Sequence, residues 1–440
     1  MITRVICSVL LLLPFRQTHA DAGQREFSSG YAGILPMDAK NLARTYFSEP
    51  AVRRLIFDLE KGPLQLERAA EVLKGTHFTV DDLLRVKLVS ERDGRLFIGF
   101  NYFNADDIKA IDRVAALYVP SLVHAYLDQQ QAFERIFKTY SAGTVSSKKL
   151  AFVLIAGFSL NWDGLRTTQE LGYRKPLLVQ GEGWRYSFWA EEDVTDRSTK
   201  EFYWGSSTFP AGKYNFSNKP ADFAFSSFGD PFSDPRMNFP DLLYTSAADM
   251  APAVRDVAQK IGLVHETAFG ADFQNVLGFE RARDLAALLF ALRASPEAEA
   301  RLARSIREPE KIGAYLSLLK QIQYVERGKD ERYRLLFPVL DRMDKKLVDQ
   351  SLALSRQIFS EWLKTNYGKM REDLGALTAM KQGVPFESLF TQIWHEWFGL
   401  TTRQLVRAGF MFDPYSKDAT YKGSFPALWR LSLYDINQFD

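Results

Sequence analysis

The stretch "VKLVSERDGRLFIGF", residues 86–100, is two short apolar runs split by a charged turn. It has an altered second copy in "IQYVERGKDERYRLLF", residues 322–337, with one extra residue in the turn. Each copy predicts a β-hairpin. The likeness continues on both sides. "LIFDLEKGP" at 55–63 matches "LLFALRASP" at 288–296, and "DIKAID" at 107–112 matches "DKKLVD" at 344–349, while the offset drifts only from 233 to 237. Two copies of one unit therefore stand in the chain.

Three helices are predicted ahead of each hairpin. The first ends at Gly62-Pro63, or at Ser295-Pro296, where Ser is a good cap and Pro a good first residue for the next helix. The second runs over "LQLERAAEVLKG" or "EAEARLARSI", and the third starts at Thr79, with Asp82 placed for a capping box, or after Glu308-Pro309. A long helix follows each hairpin, from Asp106 to about Lys138 and from Asp344 to about Met370.

Three helices and a charged hairpin resemble the winged helix-turn-helix, in the general form found in bacterial repressors of the ArsR and MarR kinds. The resemblance covers roughly half of the chain and rests on element order rather than on a sharp motif. It implies that the long helices pair, either with each other in an intramolecular pseudo-dimer or between chains in a homodimer. It also implies DNA as a partner, with the third helix in the major groove and the hairpin along the phosphates.

The third helices are poor readers. The first carries Asp81 and Asp82 at its start; the second sets Glu308 and Glu310 against Lys311 and Lys320, with Tyr315, Ser317 and Gln321 placed to touch bases. The hairpins are better, with Arg92 and Arg95 in the first and Arg327, Lys329, Arg332 and Arg334 in the second. Residues 37–140 hold 15 basic and 15 acidic side chains, whereas 280–375 hold 19 and 15, so DNA is expected at the second unit. The chain as a whole, with 56 basic and 54 acidic residues, exerts no general pull on nucleic acid.

Between the copies, residues 151–245 contain 20 aromatic residues in 95, which marks a segment of different character. "KKLAFVLIAGFSL" at 148–160 predicts a buried strand, and "WRYSFWAEE" and "KEFYWGSSTF" half-buried ones. Polar residues gather where these runs stop. Asp163 and Arg166 follow the first, Trp204 and Ser206 lie in the third, and Asp230, Asp234 and Arg236 stand in "FSSFGDPFSDPRMNFPDLL" at 225–243. Their convergence predicts a pocket for a small polar ligand; turn-forming Asx contacts are the competing account of the same residues. No catalytic motif, cofactor loop or metal-ligand spacing is recognisable. His395 and Glu396 have no second His at ligand spacing, and an interfacial histidine among Trp394, Trp397 and Phe398 is expected.

The expected fold is α+β: winged-helix units with long pairing helices at 37–145 and 251–375, a small aromatic-rich mixed sheet domain at 148–250 between them, and a helical C-terminal segment at 376–440. Residues 1–22 read as a signal peptide or as the product of a start placed upstream of Met37. The first alternative exports the mature chain after cleavage at Ala20, to the periplasm or beyond, and the second keeps it cytoplasmic. No segment predicts an integral membrane span. Three functions fit: a bacterial transcriptional regulator whose central domain senses a small ligand, an exported carbohydrate-binding protein or hydrolase, and a protein-interaction scaffold.

Overall fold

The structure is a computed structural model. It describes residues 25–34, 38–142, 145–182, 184–194, 206–209, 215–216, 219–220, 222–229, 252–261, 276–416 and 424–434. These form a mixed α/β molecule with small mixed sheets.

The first half opens with strand β1 (Phe27–Ile34) and helices α1 (Ala43–Phe47) and α2 (Pro50–Glu60), the latter with Pro in its first turn. Strand β2 (Leu64–Gln65), α3 (Leu66–Leu73) and α4 (Val80–Arg85) follow, and α4 starts on the Thr79–Asp82 capping box that the sequence predicts. The hairpin is β3 (Val89–Arg92) and β4 (Arg95–Ile98), closed by Asp93 and Gly94, both with positive φ, and β4 also pairs with β2. Two central residues of that kind give the turn whose twist matches the strands. After β5 (Asn101–Phe103) come the long α5 (Ala105–Asp128), capped by Asn104 and Asp107, and α6 (Gln130–Phe137).

Residues 148–160 are not a strand. They belong to helix α7, which runs from 147 to 170 as Ser147–Ala151, a π-helical stretch Phe152–Asp163, and Gly164–Glu170. All twelve residues of the π stretch are buried. A run apolar on every face has no period to betray a helix, so a short buried strand and a fully buried helix look alike in sequence.

Strands β6 (Val179–Gly181) and β7 (Trp184–Glu192) complete the first sheet, where β7 lies antiparallel to β1 and β6 and parallel to β5. Beyond β8 (Ser206–Phe209) and the ribbon of β9 (Asn215–Phe216) and β10 (Lys219–Pro220), strand β11 (Phe223–Gly229) starts the second half.

The second half repeats the order of the first. Helices α8 (Pro252–Lys260), α9 (Val276–Ala294), α10 (Glu299–Leu302) and α11 (Ile312–Gln321) precede the hairpin of β12 (Val325–Arg327) and β13 (Tyr333–Leu335). A bridge from Glu297 to Tyr333 stands where β2 meets β4 in the first half. Then come β14 (Val339–Leu340), the long α12 (Lys345–Asp373), α13 (Thr378–Lys381), the buried α14 (Phe386–Arg407) and β15 (Ser424–Arg430). Strand β15 is antiparallel to β11 and parallel to β14, as β7 is to β1 and β5. Among the described residues, 148–250 contribute β6 and β7 to the first sheet and β8 and β11 to the second, and the sheet confined to them is the two-stranded ribbon of β9 and β10.

The halves are interlocked. Helix α7 of the first half packs on α12, β11 and β15 of the second, while α14 of the second packs on α5 and β5 of the first. The long helices also meet, Trp362 donating to the Ser121 hydroxyl at 3.0 Å and Tyr126 hydrogen-bonding Ser355 at 2.5 Å. The buried helices touch where the Trp394 indole donates to the Leu160 carbonyl at 2.8 Å; Gly164 makes room, since a Cβ there would stand 2.7 Å from that nitrogen. Among the described residues no helix is long and apolar enough to cross a membrane.

Candidate functional site

Two equivalent interfaces exist, one between α7 and the second sheet and one between α14 and the first. They are filled differently. Residues 154–169, "LIAGFSLNWDGLRTTQ", align with 389–404, "LFTQIWHEWFGLTTRQ", without a gap at an offset of 235. In the α7 interface Phe158 and Trp162 pack edge-on against Trp429 and Phe228, at 5.2 Å in both cases, and Gly157 lies flat against Phe228. In the α14 interface the places of Ala156, Gly157 and Leu160 are taken by Thr391, Gln392 and His395. Parallel pairing puts Phe103 beside Glu191 and Leu340 beside Trp429, so Glu191 occupies the place of Trp429.

The α14 interface is therefore a buried polar junction. Ser388 donates to Asn101 at 2.7 Å, Asn101 to Ser187 at 3.2 Å, and Gln392 to Glu191 at 3.2 Å, all five side chains being buried. Arg174, on the loop after α7, donates to the Thr391 hydroxyl at 2.9 Å and to Gln169 at 2.8 Å. His395 Nδ1 lies 2.7 Å from the Thr391 carbonyl, which can only accept, so Nδ1 carries the proton and Nε2 holds a lone pair. That Nε2 is buried and has no hydrogen-bond partner among the described residues. Burial above all, with Arg174 nearby, holds the ring down to about 4, so it is neutral at pH 7. The aromatic surroundings expected for His395 are present, with Phe398 at 5.9 Å and Trp394 and Trp397 on the same helix.

The other predicted residues fall as follows. Asp163, 2% exposed, and Arg166 are brought together, in an ion pair with each other. Arg356 of α12 grips the same carboxylate through two bonds of 3.0 Å, and Tyr434 donates to it at 3.3 Å. This hub ties α7, α12 and the turn after β15 together. Ser206 begins β8; Trp204, Asp230, Asp234 and Arg236 lie outside the described residues.

Of the hairpin cations, Arg92 lies 3.9 Å over the Phe97 ring and donates to the Gln382 carbonyl, so the first hairpin is docked on the connection between α13 and α14. Arg95 is exposed. In the second hairpin Arg327 pairs with Glu331 and Arg334 with Asp330, while Lys329 and Arg332 are exposed. Tyr315 faces inward, fully buried, and bonds to Asp284 at 3.2 Å. Helix α8 covers one flank of α11, leaving Gly313, Ser317 and Lys320 along its outer stripe.

No protein-family model, curated protein or solved structure matches the chain. Among the described residues there is no group of three or more His, Cys, Asp or Glu side chains able to hold a metal ion. What the junction offers chemically is a buried guanidinium, an imidazole lone pair, amides, hydroxyls and the Glu191 carboxylate that accepts from Gln392: binding groups for a polar molecule.

Proposed function

We propose that the chain is a ligand-responsive regulator of the winged helix-turn-helix kind. In this reading it is an intramolecular pseudo-dimer: the junction beneath α14 takes a small polar ligand, and the second unit meets nucleic acid. The observation that carries the reading is the wiring of the first hairpin. Arg92 is fastened to Gln382, and Gln382 stands three residues before Pro385, the cap of α14. The same connection is held to the first unit through Gln382 to the Leu59 carbonyl at 3.0 Å and Thr378 to Asp107 at 2.9 Å. A ligand that shifts α14 shifts the anchor of the first hairpin, and the packing of α5 on α12 carries that shift toward the second unit.

The unequal hairpins support the division of labour. Arg92 of the first is spent on an internal contact, while the second keeps Lys329 and Arg332 exposed, Arg332 with the Glu297 carboxylate nearby. Binding to duplex DNA through these two cations gives a log–log salt slope of roughly −2, at ~0.9 per neutralised phosphate. Electrophoretic titration at several salt concentrations checks this, with Lys329→Ala/Arg332→Ala expected to remove the slope almost entirely. An unchanged slope in the double variant, or no binding at low salt, refutes the nucleic-acid arm. The ligand arm is read independently, as a thermal shift of the wild type that Gln392→Leu abolishes.

A further inference from the structure

Resting on the junction as a ligand site, we infer that its ligand is a small α-hydroxy monocarboxylate, the carboxylate seated on Arg174 and the hydroxyl donating to His395 Nε2. Three arginines are buried among the described residues, namely Arg174, Arg281 and Arg293. Arg281 has Glu308 and Asp284, and Arg293 has Asp344 at 2.6 Å. Arg174, 9% exposed, has among the described residues only Thr391 and Gln169 as hydrogen-bond partners, both neutral. A guanidinium out of water without an anion is costly, and burial pulls its pKa down to about 10. Two of its five N–H groups are used, and the rest of the fork suits a carboxylate, which it grips in two places.

His395 adds the second requirement. Its Nε2 needs a donor, so an anion that only accepts, such as chloride or a phosphate dianion, turns lone pair against lone pair. A single water can satisfy Nε2 but leaves the charge of Arg174 uncompensated. An α-ammonium donates, but brings back the positive charge that the carboxylate removes; a hydroxyl does not. Thr391 sets the size of the ligand, because its hydroxyl holds Arg174 and its carbonyl holds His395, so the two groups are neighbours. The fold does not demand this chemistry, since Ala156 and Leu160 fill the same places in the twin interface.

Calorimetric titration of the full chain at pH 7 with lactate, acetate and lactamide tests the inference. Lactate is expected to bind, acetate at least tenfold more weakly for want of the hydroxyl, and lactamide at least a hundredfold more weakly for want of the charge. Arg174→Gln removes lactate binding. His395→Leu erases the preference for lactate over acetate while both still bind, which a general loss of structure does not do. Should the variants fail to fold, the ranking on the wild type decides. Lactamide binding as tightly as lactate, or an undiminished preference for lactate over acetate in His395→Leu, overturns the inference. If lactate does not bind but another polar compound stabilises the wild type and not Gln392→Leu, the inference falls and the ligand reading stands. If no compound of a broad panel stabilises the wild type, both fall.

Discussion

His395 shows most directly what burial does to a single side chain here. Its ring is held near 4, against about 6.5 in an unfolded chain, so the native state prefers the neutral form. The resulting stability is complete above pH ~6.5 and is lost as the pH falls toward 4, at up to ~1.4 kcal/mol per unit and about 3 kcal/mol in all. Urea unfolding at several pH values should show this fall in the wild type, and a flatter profile in His395→Gln. A second contrast lies in two glycines. Gly164→Ala presses a methyl onto the Trp394 indole and costs ~1–3 kcal/mol, whereas Gly368→Ala, on exposed α12 with open space around it, gains ~0.5–1 kcal/mol by helix propensity; both are read as shifts in melting temperature. The polar groups of the hub and of the junction are only partly legible in the sequence. Asp163 and Arg166 stood out because they follow an apolar run at once, and they do meet, in a hub with Arg356 and Tyr434. Arg174, Glu191 and Gln392 carry no motif. The signal that finds them is the gapless alignment of 154–169 with 389–404, where small and apolar residues in one copy face Thr, Gln and His in the other.

The start of each long helix pairs one sequence repeat with two different solutions. Asp107 and Asp344 occupy the same place, and each closes a capping box. In the second half Arg293 pairs with Asp344 in the core; in the first, Asp107 accepts from the Thr378 backbone at 2.9 Å. Asp344→Ala strands a buried arginine and is expected to cost ~3–5 kcal/mol, against ~1–3 kcal/mol for Asp107→Ala, which leaves only neutral donors unmet. Chemical denaturation of the two variants side by side checks the ranking. Caps, turns and amphipathic helices are local, so their order was readable from residues 37–140 and 280–375 without knowing the fold. Residues 148–160 were not, because a helix wrapped by protein on all sides loses the polar face that reveals its period. Likewise, Tyr315 looked free to touch a base only because nothing in its own helix announces Asp284.

Considered as one object, the chain is two halves that each lack a part the other provides. Sheets β1–β7–β5 and β11–β15–β14 are covered by helices from across the repeat, which no sequence period encodes. A chain severed between Asp193 and Ser206 and expressed as two pieces should yield soluble protein only when both are made together, and the pieces should co-purify one to one; either piece folding alone refutes the interlock. The exchange of helices also fixes a timetable for synthesis. Helix α7 leaves the ribosome with its buried stretch Phe152–Asp163 only partly covered, for β11 follows some 60 residues later but α12 some 180 and β15 some 260. At ~5–20 residues per second, that wait is roughly ten to fifty seconds. The nascent first half must spend it with its most apolar helix incompletely covered, so a chaperone that shields α7 in the interval is expected to raise the yield more than added stability in the finished molecule does.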